Sequence, residues 1–134
     1  MSRKPTKTPP RIAPLAKLPL FHALDGKHVL VAGDTDGSRW KAELMSAAGA
    51  QVLVLAGPEA EADRWKGLVE NPVDGTVTLA PRDWLAADFD GLALAIGDLD
   101  HADGEAFAAA ARAAKVPVNV VDKPALCDFQ IGSI

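Results

Sequence analysis

The sequence predicts a single α/β domain, a parallel sheet with helices on both faces. Three observations carry that expectation. Runs that are apolar throughout, as strands buried on both faces must be, recur at residues 28–32, 51–56, 92–96 and 116–121. Stretches of helical spacing separate them, which parallel strands need for their crossovers. A length of 134 residues, 49% of them hydrophobic, suits one domain with a substantial core.

Residues 1–17 carry Pro5, Pro9, Pro10 and Pro14 among basic and hydroxyl side chains. Prolines at that density interrupt helices and little is available to bury, so a basic flexible tail is expected ahead of a domain over 18–134. No apolar segment follows the charges, as a secretory signal would require. The first strand, residues 28–32 (HVLVA), follows the turn signal Asp25-Gly26. Ser38 is the expected cap of a helix reaching about Ala48, with Trp40, Leu44, Met45 and Ala48 at helical spacing and Gly49 as the stop. Residues 51–56 (QVLVLA) form the second strand, 59–68 a helix, and 76–80 (TVTLA) a shorter alternating strand. The fourth strand is 92–96 (LALAI), followed by an alanine-rich helix over 103–114. The last is 116–121 (VPVNVV), with Pro117 at its entry. The alternation is that of a Rossmann-like, doubly wound sheet in a three-layer domain.

Charge divides the chain. The first 24 residues hold five Lys and Arg and no acid, whereas the remainder holds 9 Lys and Arg against 18 Asp and Glu. An acidic body repels a phosphate backbone, so no nucleic-acid partner is expected. The single cysteine, Cys127, excludes a disulfide framework and a thiolate zinc site and fits a reducing, cytoplasmic compartment. No apolar run approaches the roughly 18 residues that span a membrane.

In an open parallel sheet the ligand lies beyond the carboxyl ends of the strands, where strand order reverses. Four loops fall there: Gly33 to Gly37, Gly57-Pro58, Gly97 to Asp100, and Asp122 onward. The dinucleotide fingerprint G-x-G-x-x-G/A falls on Gly33, Thr35 and Ser38. Its first and third places are acceptable. At the second, the Thr35 side chain stands where a pyrophosphate approaches, and Asp34 and Asp36 compete for the same amides. The motif alone leaves two readings open, a dinucleotide loop or an Asp-Gly-rich turn without a ligand. The acid expected at the end of the second strand to hold the ribose is absent, with Ala56-Gly57-Pro58 in its place.

Asp98, Asp100, His101, Asp103 and Glu105 lack the spacing of a calcium loop, and helix capping accounts for Asp103 and Glu105, so no metal site is assigned. His22 and His28 read as surface or strand-edge residues, and Trp40, Trp65 and Trp84 as packing residues over the sheet. Asp122 ends an apolar strand at the ligand edge, where a carboxylate can act as a general base or simply close a turn before Pro124.

Several segments together are specific. They are Leu18-Pro19-Leu20-Phe21, Val29-Leu30-Val31-Ala32-Gly33, Lys41, Ala48-Gly49-Ala50, Asp90-Gly91, and Val116 to Asp122 with Pro124, Leu126, Cys127, Asp128 and Phe129. This pattern, over residues 18–134, resembles the N-terminal domain of siroheme synthase, the precorrin-2 dehydrogenase and sirohydrochlorin ferrochelatase family. The PVNVVDxPxLCDF stretch is its most specific part. The resemblance implies NAD-dependent oxidation of precorrin-2 to sirohydrochlorin, followed in many members by insertion of Fe²⁺, with the tetrapyrrole and the iron as substrates. It places the shared acid/base of both steps on Asp122. The cofactor loop falls on Gly33, Asp34, Thr35, Asp36, Gly37 and Ser38, the second cofactor turn on Gly57 and Pro58, and a third loop on Gly97 and Asp98. Two departures stand out. The family's triple glycine is Gly33-Asp34-Thr35 here, and Asp98 replaces the usual threonine. The family dimerises through a region that would follow Ile134, so a domain cut from a longer homodimeric enzyme is expected. The alternative is a degenerate, non-catalytic Rossmann module serving assembly or regulation.

Overall fold

The computed structural model describes residues 10–132. The first nine residues of the expected tail therefore lie outside the described residues, and residues 10–23 are exposed without strand or helix. Five strands alternate with helices: β1 (His28–Ala32), α1 (Asp36–Ala47), β2 (Gln51–Leu55), α2 (Ala62–Glu70), β3 (Thr76–Ala80), β4 (Leu94–Gly97), α3 (His101–Ala113) and β5 (Val118–Val120). Short 3-10 turns cover Ala86–Phe89 and Pro124–Leu126. All pairings are parallel, in the order β3-β2-β1-β4-β5. Strand order reverses between β1 and β4, which sets the ligand edge at the loops after those two strands.

The central strands are apolar on both faces because both are covered, whereas the edge strand β3 alternates and exposes Thr76 and Thr78. Val29, Val31, Val52 and Val54 point to one side and pack with Ala42 and Met45 of α1 and Trp65 and Leu68 of α2. Leu30, Ala32, Leu55 and Ala95 point to the other, against Phe89 and the Phe107, Ala108 and Ala111 stripe of α3. These are the two cores of a three-layer domain. Trp84, Phe89 and Phe107 meet edge to face, with centroids 5.0–5.8 Å apart. Of the three tryptophans expected over the sheet, Trp65 is fully buried, whereas Trp40 is half exposed on the outer side of α1.

The edge strand β5 is protected by the chain that follows it. The Asp128 N–H donates to Val118 O at 2.7 Å and the Val118 N–H to Asp128 Oδ2 at 3.1 Å. Asn119 Nδ2 donates to Phe129 O at 3.0 Å, and Cys127 Sγ lies 3.3 Å from both the nitrogen and the oxygen of Val120. Cys127 and Asp128 thus cap an edge that would otherwise present unpaired backbone groups.

Candidate functional site

Gly33 leaves β1 with φ +119°, a conformation side-chain-bearing residues avoid, and a Cβ there would run into the carbonyl oxygen of Asp98. The chain then enters α1 through a capping box. Thr35 Oγ1 accepts from the Ser38 N–H at 2.9 Å, and Ser38 Oγ accepts from the Thr35 N–H at 3.0 Å. The cap is therefore Thr35, not Ser38, and the helix begins at Asp36. Either hydroxyl could start a helix; Ser38 falls at the third helical position, buried, donating to Gly33 O at 2.8 Å. The Thr35 hydroxyl donates to Asp98 Oδ2 at 2.5 Å. The same carboxylate fills the space beside Gly37, where a Cβ would lie 2.7 Å from Asp98 Oδ2.

The two loop aspartates do not crowd these amides as expected. Asp34 turns toward α2, accepting from Trp65 Nε1 at 2.8 Å and from the Glu61 N–H at 2.9 Å. Arg64 Nε lies 3.2 Å from its Oδ1, an ion pair without hydrogen-bond alignment. Burial pushes the Asp34 carboxyl up, but the Glu61 amide, the Trp65 indole and the Arg64 charge together hold it below the ordinary aspartate value. Asp36 is exposed and paired with Arg64. One arginine thus draws both carboxylates sideways, away from the helix terminus. The Asp36 and Gly37 amides, the first two of α1, have no protein acceptor among the described residues.

At the second turn, Gly57 (φ +87°) donates its N–H to Arg82 O at 3.0 Å, and Pro58 is exposed. Asp83 Oδ1 lies 3.6 Å from where a Gly57 Cβ would stand. The Arg82 guanidinium bonds Asp88 through both carboxylate oxygens at 2.9 and 2.8 Å and donates to Asp83 O at 3.1 Å. That fork holds the Asp88 carboxyl below its ordinary value against the opposing effect of burial, with help from the Leu85 N–H.

Gly97 ends β4 buried, and a Cβ there would meet the Phe107 ring at 3.0 Å, so its smallness serves the packing of α3. The helix after it is capped by Asp100, whose Oδ1 accepts from the Asp103 N–H at 2.9 Å, and starts at His101, earlier than expected. Asp103 accepts from Trp84 Nε1 at 3.2 Å, and His101 and Glu105 pair at 2.5 Å.

Asp122 follows β5 in the left-handed region, φ +61°. It is exposed and makes no side-chain hydrogen bond among the described residues. It lines a cavity of about 300 Å³ together with Lys41, Asn119, Lys123, Cys127 and Gln130. Lys123 Nζ reaches back to Leu99 O at 3.1 Å, which ties this loop to the one after β4.

This edge offers backbone groups of the kind a dinucleotide uses. Gly33 supplies the tight turn, Asp36 and Gly37 the unpartnered donors at a helix N-terminus, and Gly57 an open backbone turn. The family described as "Putative NAD(P)-binding" matches residues 20–133. The chain belongs to this family. It is 40% identical over 118 residues to the siroheme synthase of Thiobacillus denitrificans, covering 87% of this chain and 24% of that protein. To the siroheme synthase of Azotobacter vinelandii it is 42% identical over 113 residues, covering 82% and 23%. The chain is thus a homologue of siroheme synthase spanning about a quarter of that protein's length. The solved structure of SirC, precorrin-2 dehydrogenase, shares the fold with TM-score 0.56 over 88% of this chain and 53% of that one, at 16% identity.

Within this NAD(P)-binding domain, two residues near the site were not assigned from sequence alone by their surroundings. Lys41 of α1 lines the Asp122 cavity, a placement between elements distant in sequence that local pattern does not show. Asp83 reaches the Gly57 turn from the neighbouring strand, so a search for an acid at the end of β2 passes over it. No helix among the described residues is long and apolar enough to cross a membrane.

Proposed function

We propose that the domain binds NAD and contributes to the oxidation of precorrin-2 to sirohydrochlorin. The observation that carries this reading is Asp122, held beyond β5 on a cavity beside the β4 loop, in a homologue of siroheme synthase. Gly33 and Ser38 shape the loop under the pyrophosphate, and the Asp36 and Gly37 amides donate to it. Gly57 and Pro58 bound the adenosine side. NAD, when bound, accepts a hydride. The oxidation removes that hydride and one proton from the tetrapyrrole, and Asp122 is the base placed to take the proton. Its exposure leaves it accessible to a large substrate. Lys41, on the same cavity, offers a cation to a substrate carboxylate. In a longer enzyme the same aspartate would accept pyrrole protons displaced by Fe²⁺, the iron being a substrate, and the homodimer would complete the enclosure.

One observation favours a second reading, a non-catalytic module for assembly or regulation. The Thr35–Asp98 hydrogen bond closes the loop at the second fingerprint place and sets a carboxylate beside the helix terminus. Calorimetric titration with NAD separates the two. Saturable binding is expected, and no binding at millimolar NAD would leave the assembly reading standing.

A further inference from the structure

The ribose of a dinucleotide bound at such a sheet is ordinarily held by an acid at the end of the second strand, and an arginine there receives the 2′-phosphate of NADP instead. In this chain the end of β2 carries neither. It turns through Ala56, Gly57 and Pro58. The pairing of β2 with β3 brings other residues to the same place. The Gly57 N–H donates to Arg82 O, which fixes the chain after β3 alongside the turn. Asp83, the next residue, then sets its Oδ1 3.6 Å from the open face of Gly57, where no side chain intervenes. Asp83 is exposed; its backbone oxygen accepts from Arg82 Nη1 at 3.1 Å, but its carboxylate has no hydrogen-bond or ion-pair partner among the described residues. The adjacent guanidinium is forked onto the Asp88 carboxylate and touches Asp83 through the backbone oxygen, with no ion pair to the Asp83 carboxylate.

We propose that Asp83, delivered from the neighbouring strand, accepts the adenosine ribose hydroxyls and makes this site select NAD over NADP. The proposal rests on the reading of the domain as a dinucleotide binder. A carboxylate accepts from two ribose hydroxyls but repels a 2′-phosphate, and the fork onto Asp88 holds Arg82 back from offsetting that repulsion. Loss of a hydrogen bond to a charged group weakens binding by roughly tenfold or more.

The test is calorimetric titration of the chain, and of its Asp83→Asn and Asp83→Ala variants, with NAD and with NADP. Asp83 is exposed and makes no contact that the fold uses, so both variants should melt as the parent does. The parent is expected to prefer NAD. Both variants should bind NAD at least about tenfold more weakly, with NADP unchanged or tighter, so that the preference collapses. A parent that binds both cofactors equally, or variants that keep the full preference, would overturn the assignment of Asp83 while leaving dinucleotide binding intact. A parent that binds neither cofactor would overturn the underlying reading itself.

Discussion

Thr35 and Asp98, 63 residues apart in the chain, share a 2.5 Å hydrogen bond that joins the loops after β1 and β4 where strand order reverses. The same Thr35 oxygen caps α1. A single hydroxyl therefore fixes the helix start and closes the loop over which a pyrophosphate would lie.

Replacing Thr35 separates those roles. Thr35→Ala removes the cap and is expected to cost about 1 kcal/mol in urea unfolding, whereas Thr35→Gly costs only a few tenths, because glycine is tolerated at N-caps. The glycine variant also clears the second fingerprint place, but it leaves the Asp98 carboxylate unpaired beside Gly37. The double variant Thr35→Gly, Asp98→Thr removes both obstacles. It should bind NAD more tightly by roughly tenfold, the equivalent of one hydrogen bond of about 1.4 kcal/mol. Unchanged affinity would mean that the loop does not hold phosphates in the fingerprint manner.

Gly33 is the position at which the loop tolerates no side chain. At φ +119° an alanine is strained by about 1–3 kcal/mol before its Cβ meets the Asp98 carbonyl. Gly33→Ala is therefore expected to lower stability by at least about 2 kcal/mol. The measurement is the urea midpoint at unchanged slope. A variant as stable as the parent would show that this turn can relax away from β4.

The strands were legible because burial on both faces leaves a continuous apolar run. Residues 28–32 match β1 residue for residue, and 76–80, legible by alternation instead, match β3. Helix starts were less so. Thr35 and Ser38 are both hydroxyls three residues apart, and only the reciprocal bonds show which one caps. Residues 59–61 continue the turn begun at Gly57, so α2 starts at Ala62. At the site, sequence identified the loops but not where their side chains turn. Asp34 goes to Trp65, 31 residues on, and Asp98 to Thr35. Both depend on which elements become neighbours, and local pattern does not encode that.

Asp34 makes stability depend on pH. Its carboxyl is held below the ordinary value by its donors, despite the opposing effect of burial, so its stabilisation is fully present above about pH 4. That contribution fades as pH falls through the folded-state value, where protonation weakens the bonds to Glu61, Trp65 and Arg64. Asp34→Asn should accordingly cost about 1–2 kcal/mol at pH 7, the worth of a charged hydrogen bond, and the gap to the parent should narrow toward pH 3. Urea unfolding across that range measures it. A gap that stays constant would mean that the shape of the side chain matters and its charge does not.

Asp122 combines a left-handed backbone with an exposed carboxylate, so the choice of substitution decides what is learned. Alanine at φ +61° would add backbone strain to the loss of the acid, and reduced activity could follow from a displaced loop. Asparagine tolerates that conformation and keeps the size of the side chain while removing the base. In the proposed oxidation, Asp122→Asn should slow precorrin-2 turnover at least about a hundredfold, as loss of a general base does. NAD affinity should stay near that of the parent, because the residue lies on the cavity beyond β5 and not on the Gly33 or Gly57 turns. A parent rate whose acid limb disappears in the variant would tie the pH dependence to this carboxylate. Undiminished turnover would remove Asp122 from the chemistry and leave it as the residue that turns the chain beyond β5.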